Sequence, residues 1–592
     1  MNHLIQTASL VMVTLMLSCH TKREFNPDIT SDELYKHIDF LSSDSLFGRS
    51  AGTPFDRVSA KYIKDQFEKS GLELIGDNGY HFFDLITNQY SGPDNSMVIN
   101  GKSYTYSNDF ATFPFSSSGT LEAPVVFAGF GLKIENQDMS WNDYKELNVE
   151  GKWVMLLRGD PEPDKPESIF INQSSDRNKV LLAKDQGAKG VILVSGVNYD
   201  PQDQLVTMEE RGYSIGIPVI HIHRNIANLI LQGNGKLEKV EKEIIEKRTS
   251  KTIETGLVIN ATTEVLNEIK TSQNIVAIIR SNTEKKNRKY IVIGAHYDHI
   301  GMGGKGSSSR RPDTISVHNG ADDNASGISA MIEIAQKLSE NRTNLSRNLI
   351  FVAFGAEEQG LIGSRRFIES GIVPVDSIEA MINLDMLGRM TNNTLMVSGV
   401  KTAVESEGIL HELNTDSTIH LLLSPEGYGP SDHASFYNKD IPVFFFTTGV
   451  HLDYHTPDDD INLINVDGLS KSASYIYSLI EHLAKQNDYL TFQQAGPKSL
   501  PVRHGKGLKV KLGIIPDVSG MANNGLRVIG ATEGNPAYIG GIRAGDVITA
   551  INGKSVKNIQ DYMYRLSELK QGITISVEIQ RQEKQMVLLV QL

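Results

Sequence analysis

His296, Asp322, the pair Glu357-Glu358, Asp385 and His455 are residue types able to hold a cation or move a proton, and they recur in a definite pattern through the middle of the 592-residue chain. His296 follows the apolar run 290–294, and Asp322 opens a helical stretch that begins near Ser326. Glu357 and Glu358 follow 349–354, Asp385 closes 380–384, and His455 lies beyond 441–446. Each has an ordinary role when taken alone. A single histidine can be a hydrogen-bonded structural group, Asp322 can cap its helix, and adjacent glutamates are commonly solvated. Asp385 is harder to place that way, because a carboxylate ending Met381-Ile382-Asn383-Leu384 is costly to bury unless something positive compensates. Five such positions at successive element ends point to one shared site.

Imidazole and carboxylate without thiolate suit a hydrolytic zinc, or another first-row divalent ion, better than a structural zinc cage. Five protein ligands are too many for one open catalytic ion. They serve two ions when one carboxylate bridges them at roughly 3.5–4 Å. Charge agrees, since two dications, three ligating carboxylates and one hydroxide sum to zero, and a neutral cluster is easier to bury. Successive side chains of extended backbone point in opposite directions. Glu358 is thus expected to face the metals while Glu357 faces the water as general base.

The elements that must position these groups alternate between strand and helix from about 274 to 483, with near-continuous apolar strands. That pattern predicts a doubly wound sheet covered on both faces. Two amphipathic helices precede it, one with Leu34, Ile38 and Leu41, the next with Ala60, Ile63 and Phe67 up to Gly71. Short β-rich runs from about Ala123, with a helix near 178–186, form a separate α/β insert. Beyond the polar stretch 493–505 a β-rich unit of about 90 residues begins. The Gly-rich stretch 301–306 reads as a loop at the pocket rim.

Composition excludes other classes. Net charge is −13, and no Lys/Arg block builds a phosphate-tracking stripe, so nucleic acid is not an expected partner. The apolar run 4–17 has the length of a secretory signal core and ends at Ser18-Cys19. Cys19 is the only cysteine, which excludes an internal disulfide and a thiolate metal site.

Several segments carry family resemblances. The end of the signal-like run, at Cys19, resembles the lipobox of bacterial lipoproteins, implying a secreted protein tethered to a membrane by lipid, periplasmic or at the cell surface. GFGL at 129–132 and LLAKDQGAKGVILV at 181–194 resemble a protease-associated (PA) domain. Leu512-Gly513-Ile514-Ile515, GIRAGDVI at 541–548 and Ile551-Asn552-Gly553 resemble a PDZ domain, which implies binding of peptide C-termini. AHYDH at 295–299, NGADDNASG at 319–327, AEEQGLIGS at 356–364, NLDMLGR at 383–389, SDHASF at 431–436 and DYHTPDD at 453–459 resemble the co-catalytic zinc exopeptidases of metallopeptidase family 28.

That resemblance implies two zinc ions acting on peptide substrates. One is held by His296, Asp322 and Asp385, the other by Asp322, Glu358 and His455, so that Asp322 bridges. It also implies that Asp298 orients His296 and that Tyr454 donates to the tetrahedral intermediate. His299, His318, His433 and His451 are assigned to loop structure or hydrogen bonding rather than ligation. The expected architecture is a signal peptide (1–19), a zinc peptidase unit (31–115 with 256–490), a PA-like insert (120–255) and a PDZ-like unit (500–592). The expected activity is aminopeptidase, with carboxypeptidase or dipeptidase chemistry on the same fold, or a non-catalytic binding lipoprotein, as alternatives.

Overall fold

The computed structural model describes residues 28–592 except 136–138, 163–167, 209–211, 283–288, 416, 497, 499–509, 517–524, 557–558, 568 and 583. The signal-like run and Cys19 lie outside the described residues. Among the described residues no helix is long and apolar enough to cross a membrane.

Two N-terminal helices start on side-chain caps. In α1 (Ser31–Leu41) Thr30 accepts from the Glu33 amide, and in α2 (Pro54–Lys69) Thr53 accepts from the Asp56 amide with Pro54 in the first turn. Their apolar faces, Leu34, Ile38 and Leu41 on one and Ala60, Ile63 and Phe67 on the other, are buried in the main core.

That core surrounds a nine-stranded sheet. Its principal strands are β1 (Val265–Ile279), β2 (Tyr290–His296), β3 (Asn348–Phe354), β4 (Ile378–Leu384), β5 (Thr394–Ser398), β6 (His420–Ser424) and β7 (Val443–Thr447). They lie in the order β1-β3-β2-β4-β7-β5-β6. β3, β2, β4 and β7 run parallel, β1 is antiparallel to β3, and β5 is antiparallel to β7 but parallel to β6. Every residue of β3, β4 and β7 is buried, as expected when helices cover both faces. Helices α3 (Gly327–Glu340) and α4 (Val466–Lys485) contact each other over one face.

The insert joins through a two-stranded ribbon, with Tyr80–Ser91 antiparallel to the first part of β1. Its eight-stranded sheet takes in Ser96–Ile99, Lys102–Tyr104 and Phe110–Thr112 on one side in sequence and Thr252–Thr263 on the other. This corrects the expected boundaries of 120 and 255. Residues 96–112, placed by sequence with the peptidase unit, belong to the insert, because Ser96–Ile99 pairs residue by residue with 259–262 and Met97 and Ile99 enter the insert's core. The C-terminal unit is a six-stranded sheet with its own core around Val528, Ile548 and Val577.

Candidate active site

The parallel strands end on one side of the sheet, and the chemistry-bearing residues lie at those ends. His296 is the last residue of β2, Glu357 and Glu358 follow β3, Asp385 follows β4, and His455 lies in the segment after β7. His296 Nε2 is 3.2 Å from Asp323 Oδ1 and 3.4 Å from Asp385 Oδ1. His455 Nε2 is 3.2 Å from Asp323 Oδ2 and 3.2 Å from Glu358 Oε2. Two triads therefore share the Asp323 carboxylate.

These spacings fit a divalent ion. Ligands about 2.0–2.1 Å from a tetrahedral zinc stand about 3.3 Å apart, longer than an ordinary hydrogen bond. Both imidazoles are oriented for it: His296 Nδ1 lies 3.1 Å from the Asp298 carbonyl and His455 Nδ1 3.1 Å from the Ser308 carbonyl, which leaves Nε2 facing the carboxylates. Asp385 Oδ1 and Glu358 Oε1 are buried without a hydrogen-bond donor, while Asp385 Oδ2 accepts from Ser431 at 2.7 Å.

The expected bridge is corrected. Asp322 does not face the histidines of the site; its Oδ1 accepts from Ser326 Oγ and the Gly388 amide, and its Oδ2 lies 3.3 Å from His451. The reason is the irregular turn before α3. Asp323 (φ −106°, ψ 92°) leaves the helical conformation, so the adjacent carboxylates diverge. Asp459 holds this turn by accepting from the amides of both aspartates at 3.0 and 3.1 Å.

Asp298 also acts differently from expectation. Its main-chain carbonyl, not its carboxylate, meets His296, while its Oδ1 accepts from the Glu357 amide at 2.9 Å. Glu357 and Glu358 do diverge, but through a turn in which Ala356 has φ 56°, not through extended backbone. Glu358 meets His455 and Glu357 lines the pocket. Tyr454 lines it too, its ring stacked on His455 at 3.8 Å.

Of the other histidines, His299 joins the cluster: its Nδ1 is 2.7 Å from Glu358 Oε1 and 3.7 Å from Asp323 Oδ2. It lies close enough to count with the metal-holding groups. We assign it as an ion-pair neighbour of Glu358 rather than a ligand, because 2.7 Å is shorter than the roughly 3.3 Å that separates two ligands of one tetrahedral zinc. His318 bonds Ser309, His433 stacks on Phe445 at 4.4 Å, and His451 contacts Asp322. The 301–306 loop leads to Ser308, whose carbonyl orients His455.

The electrostatics describe an anionic cavity. Burial opposes charge on His455, yet Glu358 and Asp323 lift it to about 11. His296 is likewise raised well above the usual imidazole range against burial, by Glu357 and Asp385. Burial pushes Glu357 well above the carboxylate range, with Glu358, Asp432 and Asp385 adding to the push and His296 opposing it. A carboxyl that resists ionisation beside these groups is suited to accept and return a proton. The pocket is also lined by apolar residues, Met386, Pro430, Phe445 and Val450.

Sequence reasoning missed Asp323, Asp459 and Arg49, whose buried guanidinium underlies the site. For Asp323 the doublet itself was a signal and for Asp459 its place at the end of DYHTPDD; for Arg49 the sequence holds none.

Comparison with known proteins agrees with this architecture. Residues 274–480 match Peptidase family M28, 121–230 match the PA domain and 510–592 match the PDZ domain. Aminopeptidase YwaD of Bacillus subtilis (strain 168) is 25% identical over 460 residues, 75% of this chain and 83% of that protein. An aminopeptidase of Pseudomonas aeruginosa (strain UCBPP-PA14) is 25% identical over 349 residues, 57% of this chain and 54% of that protein. A solved aminopeptidase from Aneurinibacillus sp. strain AM-1 superposes with TM-score 0.44 at 22% identity, covering 79% of this chain and 97% of that one. The chain therefore carries a peptidase family M28 domain together with a PA domain and a PDZ domain.

Proposed function

We propose that the protein is a zinc-dependent aminopeptidase that removes the N-terminal residue of peptides. One observation carries the reading: the two His/carboxylate triads sharing Asp323 open into the same pocket as Glu357. His296, Asp323 and Asp385 would hold one zinc, and Asp323, Glu358 and His455 the other. Bound there, the pair would polarise the scissile carbonyl and lower the pKa of water.

The chain's own residues do the rest. Glu357 takes the proton of the attacking water and returns it to the leaving amine, held in place through its amide by Asp298. Met386, Phe445 and Val450 form an apolar wall for the side chain of the terminal residue. Among the described residues, the charged groups lining the pocket are carboxylates and histidines, with no Lys or Arg. A terminal ammonium is therefore favoured over a terminal carboxylate, which supports an aminopeptidase over a carboxypeptidase. Tyr454 lines the pocket, which supports a role for its phenol as donor to the oxyanion.

The lipobox-like Cys19 supports secretion and lipid anchoring. The PDZ domain supports recognition of peptide C-termini.

The test is product analysis by mass spectrometry on one peptide in three forms, free, N-acetylated and C-amidated, with zinc-loaded protein. The free and amidated forms should release the N-terminal residue, and the acetylated form should persist. Release from the C terminus of the acetylated form would establish the carboxypeptidase reading instead.

A further inference from the structure

The segment between α1 and α2 holds three successive residues in the left-handed region: Phe47 (φ 46°), Gly48 (φ 68°) and Arg49 (φ 48°). For Phe and Arg that conformation costs on the order of 1–2 kcal/mol each, so surrounding contacts must hold it. Gly48 is confined by close approach: a Cβ there would lie 2.4 Å from the Gly301 carbonyl oxygen and 2.6 Å from that of His318. Glycine alone fits.

The conformation sends Arg49 beneath the metal-binding residues, where it is 1% exposed. Its guanidinium makes four hydrogen bonds, all to main-chain carbonyls. Nε donates to Tyr297 O at 2.8 Å, Nη1 to Leu41 O and Asn319 O, and Nη2 to Gly320 O at 3.1 Å. Tyr297 lies between His296 and Asp298, and Asn319-Gly320 immediately precede the turn that presents Asp323. The main chain adds to the link, with the Gly301 amide donating to Gly48 O at 3.1 Å and the His299 amide to Arg49 O at 3.4 Å.

Among the described residues no carboxylate bonds the guanidinium directly, although a buried charge ordinarily needs an ionic partner. The anions around it are Asp323, Asp298, Asp459 and Glu358, acting through space; burial lowers Arg49 to about 10, which leaves it charged at neutral pH. Those carboxylates belong to the metal cluster and its immediate supports.

We propose that Arg49 is a positioning residue for the metal centre: one buried cation ties the His296 turn and the Asp323 turn into a single unit and offsets their negative charge. The planar fork matters as much as the charge, since it reaches carbonyls of three segments at once. This inference rests on the metal-site reading above.

The test measures zinc affinity by competition with a chromophoric chelator, alongside thermal melting of the metal-free protein, for the unaltered chain and for Arg49→Lys, Arg49→Met and Arg49→Ala. Loss of a group that orients ligands typically costs about 10–100-fold in metal affinity. Arg49→Met and Arg49→Ala should show that loss with a cooperative melting transition retained. Arg49→Lys should recover part, and added methylguanidinium should restore Arg49→Ala. Unchanged affinity in Arg49→Met overturns the proposal. So does a loss that neither lysine nor methylguanidinium recovers, which would mark a packing defect. So does collapse of melting in all three variants, which would make Arg49 a residue of the fold. An unaltered protein that takes up no zinc would instead refute the metal site itself, and this inference with it.

Discussion

The insert and the active-site end of the peptidase domain both bury charge, but they dispose of it in opposite ways. In the insert Arg158 pairs with Asp176 at 2.6 Å and packs over the Tyr199 and Phe113 rings. Lys179 beside it is fully buried and donates to the carbonyls of Leu157 and Gly159. Cations there meet anions, dipoles and aromatic faces already present in the chain. At the site Asp323, Glu358, Asp385 and Glu357 converge on one cavity, where the groups beside them are the His296 and His455 imidazoles, pushed toward the charged form by those carboxylates against burial, with Arg49 as a fixed cation beneath. Charge closed on itself is architecture. Like charge left converging, with buried oxygens lacking donors, is a site that draws a cation from outside.

The largest expected effect separates the two adjacent aspartates. Asp323→Asn should abolish measurable zinc uptake, because both triads lose their common member, whereas Asp322→Asn should still take up zinc. Metal analysis after dialysis decides between them, and the reverse result would restore the bridge expected from sequence.

Next comes Glu357→Gln. It should lower kcat by about 10²–10⁴-fold while zinc content stays unchanged, since the residue moves a proton rather than holding the ion. Undiminished turnover in this variant would remove Glu357 from the mechanism.

In the insert, Asp176→Asn leaves Arg158 buried beside a neutral partner. It should cost about 3–5 kcal/mol in denaturant unfolding and leave zinc content untouched. A variant that lost zinc instead would join the two regions that the charge pattern separates.

The smallest effect is a pH slope. Burial depresses Lys179 to about 8 from its ordinary 10.5. Between those values the unfolded chain keeps a proton that the folded chain releases, so stability rises with pH through the window and is lost as pH falls back through 8. The gain is at most about 3 kcal/mol, and urea titrations across pH should show Lys179→Met flattening it.

What could be read from the sequence follows from periodicity. Strands buried on both faces declare themselves as continuous apolar runs, and the polar residues ending them mark the rim of the sheet whatever the detailed packing. Residues 290–294, 349–354 and 380–384 therefore located β2, β3 and β4, and with them His296, the glutamate pair and Asp385. Side-chain direction on an irregular turn has no such rule. Whether Asp322 or Asp323 faces the histidines depends on Asp459, more than a hundred residues away, gripping both amides. The same holds for Arg49, which is an ordinary arginine until three left-handed residues carry it under the site, and for residues 96–112, whose allegiance is decided by the strand they pair with. The sequence alone determined which elements exist and which chemistry they bring to one edge. Only the tertiary structure decided which carboxylate turns inward and what holds it, because those directions are set by through-space partners and not by local backbone period.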